Sequence, residues 1–205
     1  MTEKYLDLLD AHRKTVLNGL AHASLQARAA FAASCAEELY PLYPAFAEEE
    51  DWGDPDLVRS ALNAVWQWTE TDADDGVDPA QLADRVADAA PRSDESRSKL
   101  APWAQNAALA TAAALDAWAG EGVDRVAAAS ERVIEAIDYL RPGEDELPSG
   151  LDVVDAELTR QRRALEQVAN ADDLRAVRED AARGEVARFV LNALDRPARA
   201  APGSR

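Results

Sequence analysis

Cysteine occurs once in the 205 residues, glycine nine times, and aromatic side chains make up only 6% of the chain. The lone Cys35 excludes an intramolecular disulfide. The shortage of glycine, with modest numbers of β-branched residues beside abundant alanine, disfavours sheets and favours helices. No run reaches the roughly 18 uninterrupted apolar residues that a membrane span requires. Ala107 to Leu115 is too short and too weakly hydrophobic to substitute. The segment from Met1 to Leu6 lacks the basic flank and apolar core of a signal peptide, so a cytoplasmic location is expected.

Basic residues are also scarce. Against 39 acidic side chains stand 22 lysines and arginines, a net charge of −17. Such a charge repels phosphate backbones and anionic lipid heads, so neither nucleic acid nor a membrane is expected as a partner. It keeps an alanine-rich helical protein soluble, and it also suits docking of a basic protein partner.

Chemical motifs are missing as well. His12 and His22 stand alone, with no second His, Cys or paired carboxylate at metal spacing. Asp72 to Asp78 looks like a calcium loop, but with Gly76 at the sixth position Ala73 and Leu82 fall where ligands are needed. Cys35 lies on the apolar stripe of its helix, no Gly-x-Ser-x-Gly turn occurs, and the glycines are never spaced as a phosphate cradle. No catalytic residue, metal ligand or cofactor is therefore expected.

What is present is helical periodicity. Tyr5, Leu9, Val16 and Leu20 recur at helical spacing behind a capping Thr2. A second helix starts at Ser24, carries Phe31, Cys35 and Leu39, and must end or bend at Tyr40 because Pro41 and Pro44 follow. Asp54-Pro55 and Asp78-Pro79 each place a capping carboxylate before a proline suited to the first helical position. A polar linker then precedes a long alanine-rich helix from about Leu100 to Ala119, closed by Gly120 and Gly122. Val126, Ser130, Val133, Ile137 and Leu140 form the stripe of the next helix, which Arg141-Pro-Gly ends. After an acidic loop, Leu151, Val154, Leu158, Leu165 and Val168 outline another helix, with a restart at Asp172 and apolar residues from Leu174 to Leu194. The expected fold is an all-α single-domain bundle of roughly seven to nine helices over residues 1–196, with 197–205 a flexible tail.

Residues 40–68 gather Tyr40, Tyr43, Phe46, Trp52, Trp66 and Trp68 beside Glu48, Glu49, Glu50, Asp51 and Asp54. Aromatics beside carboxylates can hold a cationic group, or they can fill a core while the acids face solvent. Trp68 is the expected exposed aromatic, since Trp66 already takes the face shared with Leu62. Arg59 can pair with Asp56 or Glu37. Glu37, Tyr40, Tyr43, Trp52, Asp54, Arg59 and Trp68 make up the candidate binding surface.

Within this segment Glu37, Tyr40-Pro41, Tyr43, Phe46, Gly53-Asp54, Arg59, Leu62 and Trp66 resemble, in unbroken register, the bacterial YjaG-like family catalogued as domain of unknown function 416. Pro44, a second proline in the bend, and Trp52, where the family more often has phenylalanine, depart from its pattern. The resemblance implies an all-helical cytoplasmic protein of unassigned biochemistry and carries over no catalytic residue. Three functions follow as expectations. The leading one is a non-enzymatic protein-binding or regulatory module using an acidic or aromatic surface. The alternatives are an enzyme whose carboxylate and arginine site is assembled between helices, and a structural homo-oligomer subunit built on the stripe from Val126 to Leu140.

Overall fold

The computed structural model describes residues 3–73, 76–140, 148–170 and 174–195. Expectations that fall on Thr2, the loop after Leu140, Asp172 and the tail 197–205 lie outside the described residues, as does the side chain of Leu151. The described residues form helices and no strand: α1 (Glu3–Ala21), α2 (Leu25–Leu39), α3 (Leu42–Glu50), α4 (Pro55–Thr71), α5 (Pro79–Asp88), α6 (Ala101–Trp118), α7 (Val123–Asp138), α8 (Pro148–Asn170), α9 (Leu174–Ala181) and α10 (Glu185–Leu194). The all-α single-domain bundle read from composition and periodicity is the observed architecture.

The boundaries follow local chemistry. The Ser24 side chain accepts a hydrogen bond from the Ala27 amide, Asp54 from Leu57 and Asp78 from Gln81, each satisfying a first-turn donor that the helix cannot. Pro41 ends α2 after Tyr40 and serves as the N-cap of α3. Pro44 falls in the first turn of α3, where a missing amide costs nothing, and so adds no further break. Asp51 and Asp72 stop α3 and α4 in the left-handed conformation, at φ 54° and 57°. Gly53, at φ +106°, passes so close to Tyr43 that a Cβ would stand 3.2 Å from its hydroxyl. Gly184, at φ +57°, separates α9 from α10. The apolar periodicity from Leu174 to Leu194 runs straight across this turn and gives no warning of it.

At the centre lies α2, twelve of whose fifteen residues are buried, with α4, α6, α7, α8, α9 and α10 around it. Six alanines within α2, from Ala27 to Ala36, are buried, and α6 brings alanines of its own from Ala101 to Ala117. Small side chains let the two helix axes approach closely, and larger residues such as Phe31, Leu39 and Leu115 fill the remaining space. α3 and α5 cover α6, while α1 packs on α7 and α8. Of the stripe from Val126 to Leu140, Val126, Ser130, Val133 and Ile137 are buried inside the bundle and Leu140 is half-buried, so it offers no continuous exposed seam for a second subunit.

This packing leaves no room for growth at the α2 alanines. Ala30→Leu should lower stability by about 2 kcal/mol in urea denaturation, whereas Ala21→Leu, at an exposed position, should leave it nearly unchanged.

Candidate functional site

The sequence-derived surface divides into three groups. Glu37, Tyr40 and Arg59 do come together. Arg59 on α4 donates to both Glu37 oxygens, at 2.9 and 2.6 Å, and the Trp66 indole donates to the same carboxylate at 3.0 Å. The guanidinium lies over the Tyr40 ring, 4.6 Å from its centre. The carboxylate of this two-pronged pair is fully engaged and clamps α2 to α4, while Arg59 Nε is buried without a hydrogen-bond partner.

Tyr43 and Trp68 leave the surface. Tyr43 is fully buried, its hydroxyl donating to the Ala89 carbonyl at 2.6 Å and accepting from the Asp54 amide at 3.3 Å, so it joins α3, the turn into α4 and the end of α5. Trp68, expected to be exposed, is only 8% accessible and stacks on Trp118 with ring centres 5.0 Å apart. The expectation assumed a single buried face on α4. Because α4 contacts both α2 and α6, it buries Trp66 and Trp68 alike. Asp54 is the cap already described.

Trp52 is the aromatic that stays out, at 49% exposure, with only an edge contact to Phe46. Two neighbouring acids are committed elsewhere. Glu50 accepts from the Arg97 amide at 2.8 Å and from the Ser98 amide, and Glu49 accepts from the Ser98 hydroxyl at 2.8 Å. These bonds fasten the polar linker that precedes α6.

The most unusual site is built on Glu38, which the sequence reading passed over. Glu38 has 0% exposure on the side of α2 that meets α8 and α10. Its Oε2 accepts from the Val186 amide at 3.1 Å. Gly184, the N-cap of α10, has no side chain to cap with, so a carboxylate from α2 does that work. Oε1 is buried with no hydrogen-bond partner, 3.6 Å from Arg160 Nε. Arg160 is turned toward another acid: its Nε and Nη2 donate to the two oxygens of buried Glu157, at 2.7 and 2.8 Å.

One buried arginine thus serves two buried carboxylates. Desolvation, opposed by Arg160 and reinforced by Glu157, pushes Glu38 from the ordinary 4.5 up to about 7. The folded chain keeps a proton that the unfolded chain releases. The contribution of Glu38 to stability is therefore largest below pH 4.5 and declines as pH rises from there to 7.

The cluster borders a cleft of about 460 Å³ in which Glu38 and Arg160 are joined by Thr159, Arg163, Asp180 and Arg183 and by the exposed acids Asp155 and Glu185. Arg160 keeps 11% of its side chain exposed. Asp180 lies 3.8 Å from Arg163 and 3.1 Å from Arg183, both on the surface. Cys35 is also close to Arg160, yet burial pushes its thiol up to about 12, which removes it as a nucleophile. Two adjacent acids near the end of an otherwise apolar helix were the only sequence signal for this site. Its partners come from the far end of the chain.

A family model described as a protein of unknown function, DUF416, matches residues 16–188. The crystal structure of a DUF416 family protein from Shewanella baltica OS155 superposes with a TM-score of 0.66 at 21% identity, covering 80% of this chain and 92% of that one. At that identity the likeness is one of fold. No curated protein matches the chain. Among the described residues, no helix is long and apolar enough to cross a membrane.

If the Glu37–Arg59 pair is a clamp, Arg59→Met should cost about 2 to 3 kcal/mol in urea denaturation, because it strands a buried carboxylate. Adding Glu37→Gln to that variant should recover at least half of the loss.

Proposed function

The chain belongs to the DUF416 family, and we propose that it is a non-enzymatic binding module that takes a small zwitterionic molecule, an amino acid or a close analogue, into the cleft beside Glu38. The observation that carries this reading is the fully buried Glu38 oxygen left without a donor beside Arg160. A buried carboxylate with a spare acceptor is costly unless something completes it. An ammonium group is the complement that restores both its charge balance and its hydrogen bond.

The rest of the cleft suits the other end of such a ligand. Arg163 and Arg183 converge on Asp180 at the rim, and a ligand carboxylate can join that cluster through either guanidinium. Both charges of a zwitterion are then met by opposite charges within one small concave site. Glu38 held near pH 7 also suits proton transfer at neutral pH, which is the enzymatic alternative; chemical change in a bound ligand would reveal it.

A second reading, a module that docks a basic protein partner, rests on Trp52. This half-exposed indole has exposed Glu48 and Asp51 beside it, on a chain of net charge −17. Retention of a basic protein by the wild type but not by Trp52→Ala, with no ligand found for the cleft, would favour it.

Calorimetric titration with free amino acids, their N-acetyl derivatives and their amides tests the cleft. At least one free amino acid should bind saturably, blocking either end should weaken binding by roughly tenfold or more, and Glu38→Gln should remove the preference for the free amine. Absence of saturable binding by every free amino acid, or equal binding of the blocked forms, would overturn the reading.

A further inference from the structure

A second concavity, independent of the first, runs between α1 and α7. Its volume is about 310 Å³, its walls include Leu9, Val16, Ala127 and Ile134, and His12 and Ser130 belong to its lining. His12 is 7% exposed, and its Nδ1 is buried with no partner.

The protonation of that ring follows from a chain of hydrogen bonds that starts at Glu157. The Glu157 carboxylate, already holding Arg160, accepts from the Gln161 side-chain nitrogen at 2.7 Å. This fixes the Gln161 amide with its oxygen pointing the other way, toward Ser130 and His12. That oxygen is 2.5 Å from the Ser130 hydroxyl and 2.7 Å from His12 Nε2. An amide oxygen only accepts, so Nε2 carries the proton. Burial keeps the ring neutral by lowering its pKa. Nδ1 is therefore a bare acceptor, and the group that completes it must be a donor.

The mouth of the groove is acidic. Asp10, Glu131, Glu135 and Asp138 line it. Glu131 is paired with Arg13 at 2.6 Å, Glu135 with Arg132 at 2.9 Å, and Asp138 accepts from the Tyr5 hydroxyl at 2.8 Å, so exposed Asp10 is the acid best placed to take an added cation. Apolar walls, an acidic rim and a buried acceptor together define a ligand with three features.

We propose that the α1–α7 groove is a binding site for a small hydrophobic amine whose ammonium group lies at the acidic rim and whose far end carries a hydroxyl or amine that donates to His12 Nδ1. The ligand differs in class from the zwitterion assigned to the Glu38 cleft, because the groove lining holds Arg13 alone against four acids, whereas the cleft lining holds three arginines.

Tyramine, phenethylamine and 4-ethylphenol separate the contributions, since the second lacks the hydroxyl and the third the amine. By calorimetry or ligand-observed NMR, tyramine should bind saturably, phenethylamine roughly tenfold more weakly, and 4-ethylphenol more weakly than tyramine. His12→Phe should abolish the preference for tyramine over phenethylamine. Asp10→Asn, at an exposed position that leaves the core intact, should weaken both amines. Glu38→Gln should leave all three affinities unchanged, so this site can succeed or fail separately from the cleft. No saturable binding of either amine, or a hydroxyl preference that persists in a folded His12→Phe variant, would overturn the proposal.

Discussion

A helical stretch with no solvent-facing side cannot carry a carboxylate unless a neighbouring helix supplies its partner, and α2, buried from Ala29 to Leu39, carries two in succession, Glu37 and Glu38. Consecutive residues on a helix point about 100° apart, so the two acids face different neighbours. Glu37 meets Arg59 and Trp66 of α4, and Glu38 meets Arg160 of α8 and the first turn of α10. The alanines of α2 then admit α6 on another side. Four neighbours are thus set by what two adjacent carboxylates and a row of small side chains demand.

The two acids are treated unequally, and that inequality separates structure from function. Glu37 receives two hydrogen bonds from one guanidinium and a third from an indole. Glu38 receives one from a backbone amide and shares an arginine whose Nε and Nη2 already donate to Glu157. A desolvated carboxyl in that position, beside a concave opening and with one oxygen uncompleted, is the arrangement expected of a site prepared for a ligand. The hydrogen bonds that fix the His12 ring run from Glu157 through Gln161, and Glu38 is not bonded into that chain.

Local chemistry was legible and distant assembly was not. Ser24, Asp54-Pro55 and Asp78-Pro79 announce helix starts because a cap bonds within three residues of itself. The link between Glu37 and Arg59 was within reach because both flank one proline-bent junction. Trp68 was misplaced because periodicity reports one buried face, whereas α4 packs between two helices. The roles of Glu49 and Glu50 in fastening the linker, and the meeting of Glu38 with Arg160 and Val186, depend on how separate segments dock, for which sequence spacing has no signal.

A ligand site at Glu38 requires a desolvated carboxyl that is short of partners. A carbon-detected NMR titration of the glutamate side chains, with Glu38→Gln used to assign the resonance, measures this directly. A midpoint of about 7 for Glu38 agrees with a buried group sharing one arginine with Glu157. A midpoint in the ordinary carboxylate range, near 4.5, would mean that water or a full set of donors already completes it, and the case for a prepared site would fall.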